Sequence, residues 1–271
     1  MKLVIQIPCY NEDQTLAETI RDLPRSIDGI EEVEVLVVDD GSTDRTAEVA
    51  LACGADRLLR LPSNQGLARA FMAGIEASLR AGADIIVNTD GDNQYRGADI
   101  PELVRPILDG RAEIVIGARP IDQIRHFSAT KRWLQKLGSW VVRLVSDTNI
   151  ADTPSGFRAI SRSAALQLNV FNDYTYTLET VIQAGLKKIP IVSVPIRTNH
   201  GHRPSRLVRS VPSYVWRSLV TIVRIFMLYR PMKFFFLLAA PPLVAGSALV
   251  LRWLFLFLYV DPTRSRAPSL I

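Results

Sequence analysis

Residues 33–44 read Val-Glu-Val-Leu-Val-Val-Asp-Asp-Gly-Ser-Thr-Asp, and residues 85–92 follow the same plan as Ile-Ile-Val-Asn-Thr-Asp-Gly-Asp. In each, a short run rich in branched apolar residues ends abruptly in acids and glycine, the signature of a buried strand that stops in a turn. Leu3–Ile7, Arg57–Leu61 and Ile114–Gly117 read as further strands. Between them lie helical patterns over Glu12–Leu23, Ser42–Cys53, Gly66–Arg80 and Ile100–Leu108, with Ser42 or Thr43 expected to cap the second. Strands alternating with helices predict an α/β fold with a parallel sheet. After Arg119 the rhythm breaks. Pro120–Thr130 reads as a polar, basic loop and Lys131–Val145 as a helix. Ser155-Gly156-Phe157-Arg158 leads into a strand and a short helix, Tyr176–Ala184 is helical, and Ile189–Ile196 is strand-like.

Ligands of open α/β sheets bind outside the carboxyl ends of the strands. Three such ends carry acids here: Tyr10-Asn11-Glu12, Asp39-Asp40 and Asp90-Gly91-Asp92. Clustered carboxylates repel unless a cation sits among them. A hard divalent ion, Mg2+ or Mn2+, would keep waters and accept substrate phosphate oxygens. Asp90 and Asp92 are the expected metal ligands, with Gly91 allowing close backbone approach. The plainer alternative makes these acids turn residues or helix caps.

The charge is unevenly spread. Residues 1–200 carry 22 Lys/Arg and 26 Asp/Glu, a net −4, whereas residues 201–271 carry 10 Lys/Arg and one acid, Asp261, a net +9. A basic, apolar tail suits an anionic membrane surface or a phosphate ligand, and is too apolar for nucleic acid to be the first choice. Arg206, Arg217 and Arg224 would share a helix face beside Val208, Val215, Leu219, Ile222 and Phe226, the pattern of interfacial helices, although Pro212 divides the stretch. An ordinary surface helix on the core is the alternative. Phe234–Leu251 is 18 residues without a charge, long enough with Trp253–Val260 to span a bilayer. Pro241-Pro242 is expected to kink it or turn it into a re-entrant pair; a buried core helix is the other option. Cys9 and Cys53 form no CxxC pattern, which argues for reduced thiols and a cytoplasmic catalytic domain. The N-terminus lacks the long apolar run of a signal peptide. The expected division is a catalytic domain over 1–203, basic amphipathic helices over 204–232, a membrane segment over 233–260, and a tail, 261–271, read as truncated before a second span.

The stretches Ile7-Pro8-Cys9-Tyr10-Asn11-Glu12, Val38-Asp39-Asp40-Gly41-Ser42-Thr43-Asp44 and Asp90-Gly91-Asp92-Asn93-Gln94 together resemble the family 2 inverting glycosyltransferases of the GT-A (Rossmann-like nucleotide-diphospho-sugar transferase) fold. With the basic helices and the C-terminal span, the resemblance is closest to the polyprenyl-phosphate glycosyltransferases. It implies that Pro8, Tyr10 and Glu12 line the base and ribose pocket, with Val38 and Asp40 facing the base. It also implies that Asp90 and Asp92 hold the metal against the donor diphosphate, with Gln94 facing that site. Arg119 resembles an arginine that contacts acceptor phosphate, Arg132 (or Arg125 or Lys131) the basic residue of an acceptor loop, and Ser205-Arg206-Leu207 a segment closing over the diphosphate. The sequence departs from the group by reading Asp-Gly-Asp-Asn-Gln where many members have Asp-Ala-Asp-Leu-Gln, and His200-Gly201-His202-Arg203 does not align cleanly.

The chemistry so implied is an in-line displacement from a UDP- or GDP-linked sugar. A polyprenyl (undecaprenyl or dolichyl) phosphate acceptor is already ionised at neutral pH and needs only positioning. A sugar or lipid hydroxyl acceptor would need a carboxylate base, for which Asp152, or an acid elsewhere in the acceptor crevice, is the candidate. Asp92, Asp152 and Arg119 are thus the expected catalytic residues, and membrane lipids the expected surroundings. Self-association into a homo-oligomer stays open, as does a non-catalytic membrane scaffold built on the same domain.

Overall fold

The structure is a computed structural model and describes residues 1–120, 148, 150, 152–170, 176–199, 220, 223–224 and 226–260. It divides into two compact units, Met1–Ser218 and Leu219–Ile271. The first is a sheet with helices on its faces. Its elements run β1 (Lys2–Cys9), α1 (Leu16–Asp22), β2 (Glu32–Asp39), α2 (Thr46–Ala52), β3 (Arg57–Arg60), α3 (Leu67–Arg80) and β4 (Ile85–Asn88). There follow α4 (Ile100–Leu108), β5 (Ile114–Ala118), β6 (Arg158–Ser161), α5 (Arg162–Ala165), α6 (Thr177–Leu186) and β7 (Ile191–Pro195).

The 7-stranded sheet has the order β3-β2-β1-β4-β6-β5-β7. It is mixed: the strands of the alternating stretch keep the expected parallel sense, and one strand beyond it does not. β6 pairs antiparallel with β4 and with β5, while β1–β2, β1–β4, β2–β3 and β5–β7 are parallel. The expectation fails where the strand–helix alternation fails. β6 lies beyond the long insertion after Arg119, so no right-handed crossover helix forces it to be parallel. The switch in direction puts the turn into β6, Ser155–Phe157, beside the carboxyl end of β4, where Asp90 follows.

Leu3, Ile5 and Ile7 of β1 pack with Val35 and Val37 of β2 against Leu16 and Ile20 of α1 and Leu103 and Val104 of α4. Helices α1 and α2 have only 7 residues each. Isolated helices shorter than about 12 residues are marginal in water. Burial holds them instead, each fully buried Leu or Ile contributing roughly 1.5–3 kcal/mol. Helix α2 begins at Thr46, later than expected, and neither Ser42 nor Thr43 caps it. The Asp44 carboxylate accepts the Thr46 N–H at 3.0 Å, and Ser42 Oγ instead accepts the N–H of Asn11 at 2.9 Å. The hydroxyl goes to the neighbouring loop because Asn11, at φ +54°, turns its amide toward it.

The second unit is dominated by α7 (Pro231–Phe255), continued by a wider turn through Leu256–Val260. It runs unbroken through Pro241 and Pro242 and is not a re-entrant pair. The two prolines withhold only the donors that Leu237 and Leu238 carbonyls would have received. At 1.5 Å per residue the 25-residue helix is about 37 Å long, longer than the about 30 Å hydrocarbon core of a bilayer. Pro231–Tyr259 is long and apolar enough to cross a membrane, and none of its most apolar stretch is buried against protein.

Candidate active site

The acids foreseen at the strand ends converge on one edge of the sheet, but they divide the work. Strand β1 ends opposite β2 with Cys9 in register with Asp39. The loops that follow are sewn together: Thr43 N–H donates to Asn11 Oδ1 at 2.9 Å, and Glu12 N–H to Thr46 Oγ1 at 2.8 Å. Asp39 is fully buried. One oxygen accepts the Ser42 N–H at 2.8 Å and the other lies 3.3 Å from Arg60 Nε. Asp40 accepts the N–H groups of Gln65 and Gly66 at 2.8 and 2.9 Å, one on each oxygen. It therefore braces the turn into α3, where Gly66 at φ +94° needs a glycine. The Val38 side chain is wholly buried against α3 beside Gly74. Val38 thus presents no side-chain surface to a base, and the carboxylate of Asp40 is already engaged. Pro8 is buried, Glu12 half-buried and Tyr10 exposed at the same edge.

The Asp90-Gly91-Asp92 loop sits across from these residues. A Cβ on Gly91 would lie 2.9 Å from Cys9 Sγ, so only glycine lets the loop pass this close to β1. The Gly91 carbonyl accepts from Thr15 Oγ1 at 2.9 Å and Thr19 Oγ1 at 3.2 Å, which ties the loop to α1. Burial and the surrounding acids, Glu12 and Asp39 foremost, push the Cys9 thiol well up, so it stays protonated. Asp92 is exposed and accepts the Gln94 N–H at 3.1 Å.

Asp90 rests on a prepared floor. A Cβ on Gly156 would lie 2.9 Å from Asp90 Oδ1 and 3.0 Å from the Tyr176 hydroxyl. The Gly156 N–H donates to Tyr95 Oη at 3.0 Å, and its carbonyl accepts from Asn88 Nδ2 at 2.9 Å. Asn88 in turn takes Gln6 Nε2 at 2.9 Å on its oxygen and reaches Tyr176 Oη at 2.9 Å. Gln6 and Asn88 are register partners on β1 and β4. Tyr176 stacks on Phe71 at 3.8 Å, and Tyr95 on Phe157 at 5.0 Å. Beneath them the buried Arg158 guanidinium donates to Thr180 Oγ1 and the Ser155 carbonyl and lies 5.3 Å from the centre of the Tyr176 ring. Loss of hydration, then the neighbouring Asp92, pushes Asp90 up to about 7 against the pull of Arg119 and Arg158.

Arg119 and Asp152, which sequence reasoning had given separate tasks, are bound to each other. Arg119 Nε donates to Asp152 Oδ2 at 2.7 Å and Nη2 to Oδ1 at 3.1 Å, with the Arg119 N–H on Oδ2 at 3.2 Å. Burial works against the Arg119 charge, but Tyr95, Asp152 and Asp90 outweigh it and raise its pKa. Both oxygens of the buried Asp152 are engaged by Arg119, so the carboxylate expected as a base does not stand free in the site. It orients Arg119 instead. Arg132 and Arg206, like Arg125, Lys131 and Arg203, lie outside the described residues.

The donor set bears on the expected metal. Among the described residues no group of three or more His, Cys, Asp and Glu could hold an ion as an all-protein cage. The expected cluster reduces to Asp90 and Asp92, because Asp39 and Asp40 face other partners. Two adjacent carboxylates, one of them held near neutrality by burial, fit an ion that draws its remaining ligands from water and a substrate diphosphate. The sequence missed Asn88, Tyr95, Tyr176 and Arg158 as parts of the site. A signal existed for one: Gln6 and Asn88 are polar interruptions of otherwise apolar strands.

Residues 4–168 match the model of glycosyl transferase family 2. The dolichyl-phosphate hexose transferase of Haloferax volcanii is 30% identical over 199 residues, covering 72% of this chain and 81% of that protein. The undecaprenyl-phosphate mannosyltransferase of Micrococcus luteus is 29% identical over 206 residues, covering 72% and 83%. Among solved structures, glucosyl-3-phosphoglycerate synthase from Mycobacterium tuberculosis, in complex with Mn2+, UDP and glucosyl-3-phosphoglycerate, superposes with a TM-score of 0.63 at 21% identity. That match covers 82% of this chain and 79% of the other. The mixed sheet, the acids at its carboxyl edge and the matched span agree: the chain belongs to glycosyl transferase family 2 and is a glycosyltransferase with the GT-A fold, akin to the polyprenyl-phosphate sugar transferases.

Proposed function

We propose that the protein moves a sugar from a nucleotide-sugar donor onto a polyprenyl phosphate at a membrane surface, with inversion and with a divalent metal. The observation that carries the choice of acceptor is the Arg119–Asp152 pair. Asp152, the carboxylate that the sequence offered as base for a hydroxyl acceptor, is buried and held on both oxygens. A phosphate acceptor needs no base, because it is ionised at neutral pH, and it is recognised by guanidinium groups. Arg119 is a preset guanidinium, aimed by Asp152 and kept charged.

Asp90 and Asp92 would hold the ion, Mg2+ or Mn2+, and the ion would supply positive charge to the departing nucleoside diphosphate. The edge formed by Tyr10, Glu12 and the 39–44 turn would receive the nucleoside. Gly91 and Gly156 set the two carboxylates and their floor at fixed heights, so little reorganisation remains when substrate arrives. The exposed apolar helix α7 would cross or enter the bilayer and tether the chain to the membrane that holds a lipid acceptor, with the catalytic unit on the cytoplasmic side. Relatives named for dolichyl and undecaprenyl phosphate support this acceptor class.

The test is transfer of radiolabelled sugar from UDP- and GDP-sugars with Mn2+ and undecaprenyl or dolichyl phosphate. The expected product is chloroform-soluble and labile to mild acid, and Asp92→Ala abolishes it. Label appearing in an acid-stable glycolipid or glycan would assign a hydroxyl acceptor instead.

A further inference from the structure

The segment that leaves β7, Arg197-Thr198-Asn199, belongs to none of the family motifs, yet it is fastened along the stretch that leaves the Asp90-Gly91-Asp92 loop, from Asn93 to Asp99. Arg197 donates to Asp99 three times: its N–H to Oδ2 at 2.6 Å, Nε to Oδ1 at 3.0 Å, and Nη2 to Oδ1. Asp99 is buried, so this end is an anchor. Thr198 forms an antiparallel bridge with Tyr95. Asn199 N–H donates to the Gln94 carbonyl at 2.9 Å. Its side-chain Nδ2 faces three oxygens of the loop, the Asn93 carbonyl at 3.2 Å, Asn93 Oδ1 at 3.3 Å and the Tyr95 carbonyl at 3.4 Å.

The strap bears on the left-handed turn of the loop. Asn93 sits at φ +55°, a left-handed conformation that L-residues adopt at a cost of about 1–2 kcal/mol, least for Asn and Gly. That turn sends the chain back from Asp92 toward Tyr95, whose hydroxyl carries the Gly156 N–H below Asp90. The strap therefore bonds to the residues between the exposed carboxylate, Asp92, and the floor of the half-buried one, Asp90.

We propose that Asn199 is a positioning residue for the metal loop: its side-chain amide holds Asn93 in the left-handed turn and so fixes Asp92 relative to Asp90, with Arg197–Asp99 as the anchor. The inference rests on the metal reading above. Asn199 acts through the main-chain and side-chain oxygens of Asn93, one residue beyond Asp92. Outer-shell partners of metal ligands cost about 10–100-fold in affinity when removed, and action through the main chain puts Asn199 near the lower figure, about tenfold.

The experiment is a Mn2+ titration of the full chain, followed by the electron paramagnetic resonance of free Mn2+, with UDP and in parallel with GDP present. Wild type, Asn199→Ala and Asp92→Ala are compared. Asn199→Ala is expected to weaken Mn2+ by about tenfold. It is also expected to leave the metal-free melting temperature within about 4 °C of wild type, because only partly exposed hydrogen bonds are lost. In transfer assays the Mn2+ concentration for half-maximal rate rises by the same factor, and kcat returns to the wild-type value at saturating Mn2+. A Mn2+ constant within twofold of wild type would overturn the proposal, as would a fallen kcat that saturating Mn2+ does not restore. If wild type binds no Mn2+ with either nucleotide, or Asp92→Ala binds as wild type does, it is the metal reading that fails. Arg197→Met provides a second variant: it weakens Mn2+ as well under the proposal, and leaves it unchanged if the strap serves the fold alone.

Discussion

Asp90 and Asp92 are two residues apart and live in different media. Asp92 stands in solvent, while Asp90 lies on the Gly156 main chain with its charge disfavoured by burial. Asp92→Ala should therefore lower Mn2+-supported transfer by at least about 100-fold, the scale on which charge-stabilising groups act. Its melting temperature should stay near wild type, because an exposed side chain is removed; calorimetry beside the assay checks both. Arg119 and Asp152 behave in the opposite way. Arg119→Met leaves a buried carboxylate unpaired and should cost about 3–5 kcal/mol in urea unfolding. Arg119→Met with Asp152→Asn should recover part of that loss without recovering activity. Sequence reading found both residues and missed the bond between them, because 33 positions separate them and only the β5 and β6 ends bring them together.

At the scale of elements, glycines govern how close the site's loops come to the sheet. Gly91→Ala places a Cβ against Cys9 Sγ and should lift the loop off α1, breaking the Thr15 and Thr19 bonds. The expected result is weaker Mn2+ binding, and Cys9→Ala in the same chain should restore it by removing the sulfur. Titration of both single variants and the double variant decides this. The edge of the sheet away from the site carries a pH dependence of its own. Glu34 on β2 joins Lys2 on β1 and Arg57 on β3. Burial raises the Glu34 pKa, but the bonds from Lys2 and Arg57 outweigh it and leave it below 4.5; the same partnership, chiefly with Glu34 and then Glu32, raises Lys2 above 10.5. A depressed carboxyl stabilises the fold above its unfolded pKa and loses that contribution as pH falls through its folded value. A raised ammonium contributes below its unfolded pKa and loses the contribution as pH rises through its folded one. Glu34→Gln should therefore lower the melting temperature most at pH 6–9, with the difference vanishing in acid. Thermal melts across pH would show this; a constant difference down to acid pH would mean that the loss is one of packing.

On the scale of the whole molecule, the proposed function assigns chemistry to the first unit and membrane attachment to the second. The full chain should float with anionic phospholipid vesicles, and a chain ending at Ser218 should not, while still melting cooperatively. Flotation with lipid-free controls checks this. The sequence by itself determined the order of strands and helices up to β5, the acids and glycine of the metal loop and the apolar C-terminal helix. These are local signals: periodicity, turn chemistry and a charge-free run are written in neighbouring residues. Only the tertiary structure decided that β6 enters antiparallel between β4 and β5. It also decided that Asp39 and Asp40 brace turns rather than join a metal cluster, and that Asp152 serves Arg119. The reason is the same in each case. A carboxylate binds whichever donor the fold brings within hydrogen-bond reach, and those donors (Gly66, Ser42, Arg119) are set by packing across the sheet. The opening stretch, Val33–Asp44, named the right edge of the sheet; the fold decided that its acids are taken up by neighbouring donors.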